Sequence, residues 1–252
     1  MSETAHVVLQ DTDSVATIRI DDGKVNALSQ GLVSALSDSL DVANETNRAA
    51  LIVGRDGFLS AGFDLSVMRG DDVAARETLV LAGLELALKI FQSPIPVIVC
   101  CTGHAIAAGM LLLLPAEHVI VGDAPVKIGF NETSIGIELW PFVLELARYR
   151  LLPSAYNQIL QGSLYGSAAA QQAGYVDEVV ATDDLLGRST EVARHFAGHD
   201  PQSYRQTKVA MRASTSRRPS SPLSNGDEER HVDVDALRIR GIRGGPPGRR
   251  QF

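Results

Sequence analysis

The sequence predicts an α/β protein with crossover connections. Short apolar runs rich in β-branched residues alternate along the chain with longer stretches whose apolar residues recur every three or four positions. The composition, 45% hydrophobic and 21% charged over 252 residues, supplies a core and excludes a disordered, collagen-like or coiled-coil chain. The adjacent Cys100 and Cys101 cannot build a disulfide framework and fit a reducing compartment. Met1-Ser2-Glu3-Thr4 lacks the basic and apolar stretches of a signal peptide, so the cytoplasm is the expected location.

Residues 6–9 and 15–20 alternate around the polar Asp11-Thr12-Asp13-Ser14 and predict a hairpin. Asp22-Gly23 turns the chain, and Ser29 is the expected N-cap of a helix bearing Leu32, Leu36, Leu40 and Ala43. The run 49–54 reads as a buried strand ended by glycine. A loop is expected up to Asp64, then a long helix over about 73–91. Strands are expected at 96–101, 117–121, 126–128 and 175–180, and helices at 141–152, 154–160, 167–173, 184–197 and 201–213.

Residues 95–116 contain no Asp, Glu, Lys or Arg, and the run is long enough to cross a bilayer. Pro94 and Pro96 at its start, β-branched Val97-Ile98-Val99, and Gly103 and Gly109 inside it favour a core strand, a turn and a buried helix instead. Basic flanks and aromatic belts are missing too, so no membrane association is expected.

Residues 1–213 carry 15 Lys+Arg against 25 Asp+Glu. An acidic body is a poor general binder of nucleic acid, whose phosphates need clustered cations. Residues 214–252 reverse the balance, with 8 Arg and 5 acids in a Ser/Pro/Gly-rich stretch poor in large apolar side chains. Such a segment buries little surface against its ordering entropy and is expected to be disordered. An Arg-mediated tether to nucleic acid or a partner is the alternative use of it. The chain thus divides into a domain at 1–213 and a tail at 214–252.

A nucleophile elbow, a phosphate-binding P-loop and a dinucleotide-binding glycine motif are absent, and His and Cys lack metal-ligand spacing. Three segments remain. In Ser60-Ala61-Gly62-Phe63-Asp64-Leu65, small residues precede an Asp at a helix start, which leaves backbone N–H groups exposed to an oxygen anion. Asp64 could equally serve only as a cap. Thr102-Gly103-His104-Ala105-Ile106-Ala107-Ala108-Gly109 is a second small-residue turn, where close packing and a structural His104 are the plainer reading. Gly129-Phe130-Asn131-Glu132-Thr133-Ser134-Ile135-Gly136 offers one carboxylate between apolar elements.

Together, in this order and at these separations, the three segments resemble the crotonase (enoyl-CoA hydratase/isomerase) superfamily. Lys24-Val25-Asn26-Ala27-Leu28-Ser29 is similar to that family's early CoA-contacting segment. Gly166-Ser167-Ala168 through Gly174-Tyr175-Val176-Asp177 is similar to the stretch that comes after its site. The resemblance covers about residues 6–213 and implies a crotonase-like spiral core of ββα units followed by C-terminal helices.

The implications for the site are specific. The backbone N–H groups of Ala61 and Ala108 would hold a thioester oxygen. Lys24, Ala27, Ser60, Gly62, Phe63, Asp64, Leu65, Gly109 and Leu111 would contact the acyl-CoA. Glu132 would be the catalytic base, surrounded by Leu111, Phe130, Ile135 and Trp140. No metal is implied, and no cofactor beyond the CoA of the substrate. Hydratases of this family carry a second Glu where Leu111 stands, whereas Asn131-Glu132-Thr133 is similar to the 3,2-enoyl-CoA isomerases. Moving a double bond needs one base, and hydration is easier with two acids. Isomerisation of a 3-enoyl-CoA is therefore the expected reaction. Hydration of a 2-enoyl-CoA, with Glu138 as the nearest second acid, and acyl-CoA binding without turnover are the alternatives. Two departures stand out: Ala107-Ala108 replaces glycines, and the 214–252 stretch replaces the helices that cover acyl-CoA and join the family's homotrimers or dimers of trimers.

Overall fold

The computed structural model describes residues 7–12, 14–213 and 215. Strands Val7–Thr12 (β1) and Val15–Ile20 (β2) pair antiparallel as the predicted hairpin. Helix Gln30–Thr46 (α1) begins at Ser29, whose Oγ accepts the Leu32 N–H at 3.2 Å. Then come Ala49–Val53 (β3), Gly57–Ser60 (β4), the single turn Leu65–Met68 (α2) and the long helix Val73–Gln92 (α3). Next are Val97–Cys101 (β5), Gly103–Ile106 (β6), a 3₁₀ turn at Ala107–Gly109 and Met110–Leu113 (α4). His118–Gly122 (β7), Ile128–Gly129 (β8) and Glu178–Val180 (β9) complete the strands among the described residues. The remaining helices are Pro141–Arg150 (α5), Pro153–Gln158 (α6), Ser167–Ala173 (α7), Leu185–Ala197 (α8) and Pro201–Arg212 (α9).

Six strands form one sheet in the order β1-β2-β3-β5-β7-β9, parallel from β2 onward. Side chains alternate between its faces. Ala50, Ile52, Val97, Val99 and Cys101 meet Leu32, Leu36 and Leu40 of α1 and Leu79, Leu86 and Ile90 of α3. Ala49, Leu51, Val53, Ile98 and Cys100 meet Leu185, Val192 and Ala193 of α8. Both faces are covered, which is why β3 and β5 read as unbroken apolar runs.

A second, three-stranded parallel sheet runs β4-β6-β8. Here the structure departs from expectation: the predicted loop before Asp64 contains β4, and the predicted turn after Thr102 contains β6. Neither strand has more than four residues, and β4 is interrupted by a bulge between Phe58 and Ser60, so no periodicity accumulates. The strand expected at 126–128 is reduced to Ile128–Gly129, and that at 175–180 to Glu178–Val180. The apolar run 95–116 is β5, β6, the 3₁₀ turn and α4, and no helix among the described residues is long and apolar enough to cross a membrane. The reading of 214–252 as disordered lies outside the described residues, Thr215 excepted.

Helix α9 is fastened to the main sheet by charge. Glu117, just before β7, receives Lys208 Nζ at 2.8 Å and Arg212 Nη2 at 2.7 Å on one oxygen, and the Val97 N–H at 2.6 Å on the other. Both cations also donate to carbonyls, Lys208 to Ile95 and Arg212 to Phe91. Removing the shared anion strands two buried cations. Glu117→Ala is expected to cost roughly 3–5 kcal/mol of stability, measured by urea unfolding, whereas alanine at the exposed Glu191 should cost almost nothing.

Candidate active site

The small sheet sets the geometry. Its register aligns Ser60, Ala105 and Ile128 in one row across the three strands. From that row the chain runs three residues to Phe63, three to Ala108 and four to Glu132, all beyond the carboxyl ends of neighbouring parallel strands about 4.8 Å apart. That end of a parallel sheet is where ligands bind in open α/β folds.

The first turn is held from below. Asn26 is fully buried, with φ +50°, a left-handed conformation that asparagine tolerates. Its Nδ2 donates to Ile20 O at 2.9 Å and its Oδ1 accepts the Asp22 N–H at 2.9 Å. The Asp22 carboxylate accepts the N–H groups of Lys24, Asn26 and Ala27 at 2.7, 2.8 and 3.0 Å. Ser60, also buried, donates its hydroxyl to Asn26 O at 2.7 Å. The 24–28 segment is thereby fixed against the 60–64 turn.

This bonding accounts for the turn's amides one by one. Ala61 N–H donates to Val25 O at 3.0 Å, Gly62 N–H to Ser60 Oγ at 3.2 Å, and Asp64 N–H to Leu28 O at 3.1 Å. Leu28 N–H in turn donates to Gly62 O at 2.8 Å. Leu28 thus bonds on both sides of Phe63, and the Phe63 N–H projects the other way, with no partner among the described residues. The N–H of Ala61, the expected donor, is thus taken up by Val25, whereas that of Phe63 is left over.

In the second turn Ala108 is the second residue of the 3₁₀ helix, where an N–H has no intrahelical acceptor. The turns touch: a Cβ on Gly62, where φ is +100°, would stand 3.3 Å from Ala108 N and 3.2 Å from Ala107 Cβ. The glycine at 62, with its positive φ, is what lets the two turns approach so closely, next to the residue that bears the unpaired Phe63 amide. Ala107, one of the two alanines expected to stand in place of glycine, is held at φ +53°, a left-handed conformation that costs strain for a residue with a Cβ.

Other expected contacts sort differently. Ser60 and Gly109 are packed inside, a Cβ on Gly109 falling 2.5 Å from Ser60 O. Asp64 acts as the N-cap of α2, accepting from Ser66 N–H at 2.8 Å. Leu65 is 58% exposed and Lys24 lies on the surface, while Ala27 and Phe63 are half-buried and Leu111 is buried. His104 is structural: its Nδ1 accepts the Lys127 N–H at 2.9 Å and its ring meets Phe58 edge-on.

Glu132 is only 9% exposed, and its Oε2 is buried with no hydrogen-bond partner among the described residues. Burial pushes its carboxyl up to about 7, against the downward pull of its own and Asn131's backbone N–H groups. Phe130 is buried as expected, but Ile135 is 57% exposed and does not shield it. Tyr175 does lie nearby: its phenol is held above its ordinary value by burial first, then by Tyr165 and Glu132. Glu138, the possible second acid, is exposed. No cluster of three or more His, Cys, Asp or Glu among the described residues could hold a metal.

The enoyl-CoA hydratase/isomerase family model matches residues 10–235. The chain belongs to this family. The hydratase/isomerase match runs past residue 213, into the segment read as a separate tail. The chain is 30% identical over 210 residues to human mitochondrial enoyl-CoA delta isomerase 1, covering 81% of this chain and 69% of the relative. It is 28% identical over 228 residues to the 2,3-dehydroadipyl-CoA hydratase of Escherichia coli, covering 84% and 87%. Its structure resembles that of an enoyl-CoA hydratase from Mycobacterium ulcerans, with a TM-score of 0.81 at 34% identity over 84% of this chain and 93% of that one.

The raised carboxyl of Glu132 has a consequence for stability. Its proton is bound more tightly in the folded state (about 7) than at its ordinary 4.5, so the folded protein holds the extra proton between those values. Stability from this group is full below about pH 4.5 and is lost as pH rises through about 7, by roughly 3 kcal/mol in all. Glu132→Gln should therefore be more stable than wild type above pH 7, with the gap closing by pH 4.5, as read from urea midpoints across pH.

Proposed function

We propose that the chain moves the double bond of a 3-enoyl-CoA to the 2-position, through a thioester enolate held by the N–H groups of Phe63 and Ala108, with Glu132 as the base. One observation carries this reading. Glu132 is a solitary buried carboxylate at the end of the sheet that bears the two unpaired amides, while the position of a second acid is filled by buried Leu111.

The carboxylate takes a proton from C2, and the electron pair moves onto the thioester oxygen, where two amides stabilise the charge. The loss of one such donor typically costs about 3–4 kcal/mol of transition-state stabilisation. The same carboxyl then returns its proton at C4. The electrons move back, leaving a C2–C3 double bond with no atom gained or lost. A carboxyl pushed up to about 7 suits both halves, since it is strong enough to take the proton and acidic enough to give it back. These steps call for no cofactor beyond the CoA of the substrate.

Hydration has less support, because Glu138, its candidate second acid, is exposed. Binding without turnover is disfavoured on energetic grounds. A carboxylate buried with an unpartnered oxygen costs stability, and such costs concentrate where chemistry uses them. The human relative is named an isomerase and the bacterial one a hydratase, so membership of the family leaves the choice to the site residues.

Glu132→Gln should lower turnover of a 3-enoyl-CoA by roughly 10²–10⁴-fold, with the Kd for a saturated acyl-CoA little changed. In the wild type kcat/KM should rise with pH through about 7 as the base deprotonates. Near wild-type turnover by the variant would remove Glu132 from the chemistry, and conversion of 2-enoyl-CoA to a 3-hydroxyacyl product at a comparable rate would favour the hydratase.

A further inference from the structure

Helix α3 carries a glycine in its interior, Gly83, on the face buried against the core. Glycine there weakens a helix, so the group that stands in place of its side chain matters. A Cβ on Gly83 would fall 2.6 and 2.7 Å from Cε1 and Cζ of the Phe63 ring, and 3.3 Å from Leu111 Cδ1. The ring reaches across to the backbone of α3, and Leu111 meets it there.

Both side chains come from the site's own segments, Phe63 from the first turn and Leu111 from α4 just after the second. Phe63 bears one of the two N–H groups that address the thioester oxygen in the proposed reaction, and Leu111 lies three residues beyond Ala108. Next to the amide that addresses the thioester in the proposed reaction, an aromatic ring is therefore seated directly on a helix backbone, with a leucine beside it. Leu111 is buried and Phe63 half-buried. The ring has no room to retreat toward α3, because it already occupies the volume that Gly83 vacates.

We infer that the Phe63 ring, seated on Gly83 and flanked by Leu111, closes the far end of the acyl pocket and restricts the protein to short-chain acyl thioesters. The inference rests on the reading of Phe63 and Ala108 as the donors to the thioester oxygen. It makes Phe63 do two things, with its backbone addressing the carbonyl and its side chain measuring the length of the acyl chain.

The test is a chain-length series. For wild type, Phe63→Ala, Phe63→Leu, Gly83→Ala and the Phe63→Ala/Gly83→Ala double variant, kcat/KM is measured on short-, medium- and long-chain 3-enoyl-CoAs. The Kd of the matching saturated acyl-CoAs is measured in parallel. Wild type should favour the short chain, and Phe63→Ala should raise the long-to-short ratio by roughly tenfold or more in both measurements, since single methylenes in a tight pocket change selectivity by about that much. Phe63→Leu, a smaller change for the fold to absorb, should fall between. Gly83→Ala should push the ring toward the substrate and weaken short-chain binding, an effect that disappears once Phe63 is alanine. A long-to-short ratio unmoved by both Phe63 variants, or a wild type that prefers long chains, would overturn the inference. If no 3-enoyl-CoA is turned over but the Kd ratio shifts as stated, the pocket assignment stands and the isomerase reading fails. Turnover with an unmoved ratio keeps the isomerase reading and overturns the pocket assignment.

Discussion

Three parallel strands, none longer than four residues, align the site through their hydrogen-bond register. Once Ser60, Ala105 and Ile128 share a row, the residues a few positions on in each chain emerge side by side. A slip of one residue in any of these strands would turn its side chains to the opposite face and move its amide out of line. The strands are too short to fix that register alone. The Asn26 and Asp22 side chains lock the 24–28 segment beneath β4, and the Gly62–Ala108 approach locks β4 to β6. The small sheet and its braces form one unit, and the large sheet supplies the platform behind it.

Two kinds of unfavourable local state are concentrated there. Ala107 holds a left-handed backbone conformation, and Glu132 keeps a carboxyl where water scarcely reaches it. Each is unstable in isolation and persists because its surroundings are overdetermined by packing. Amides with no internal partner and a carboxyl with an unsatisfied oxygen are costs to folding, and they are also the groups a charged intermediate would find useful. The Glu117–Lys208–Arg212 cluster is a different case. Its charges satisfy one another and carbonyls, so its burial serves attachment of α9.

The 60–64 turn shows how an amide's availability depends on everything around it. Four consecutive residues come after Ser60, and three of their N–H groups are used by Val25, Ser60 and Leu28. The parallel bridge to Leu28 takes the Asp64 amide and the Gly62 carbonyl and leaves the Phe63 amide for the other side. The glycine at 62 allows the chain to make that turn, and the glycine at 83 admits the ring that comes with it.

Local patterns in the amino-acid sequence give the strands of the large sheet and the helices that pack on it, and single out Glu132. Unbroken apolar runs, three-four spacing and capping residues such as Ser29 are local signals that tertiary context here reinforces. The motif spacing also carried the family. Local signals could not reveal β4 and β6, which are too short for periodicity. They also do not tell whether the Ala61 amide is free, because that depends on the distant carbonyl of Val25. The shielding of Glu132 was only partly legible. Phe130 lies near Glu132 in the chain, whereas Tyr175, distant in sequence, enters only through the fold, and Ile135, close by in the chain, turns outward. Side-chain direction and hydrogen-bond occupancy are properties of neighbours in space, and Gly83 acquires its meaning only when the Phe63 ring is found against it.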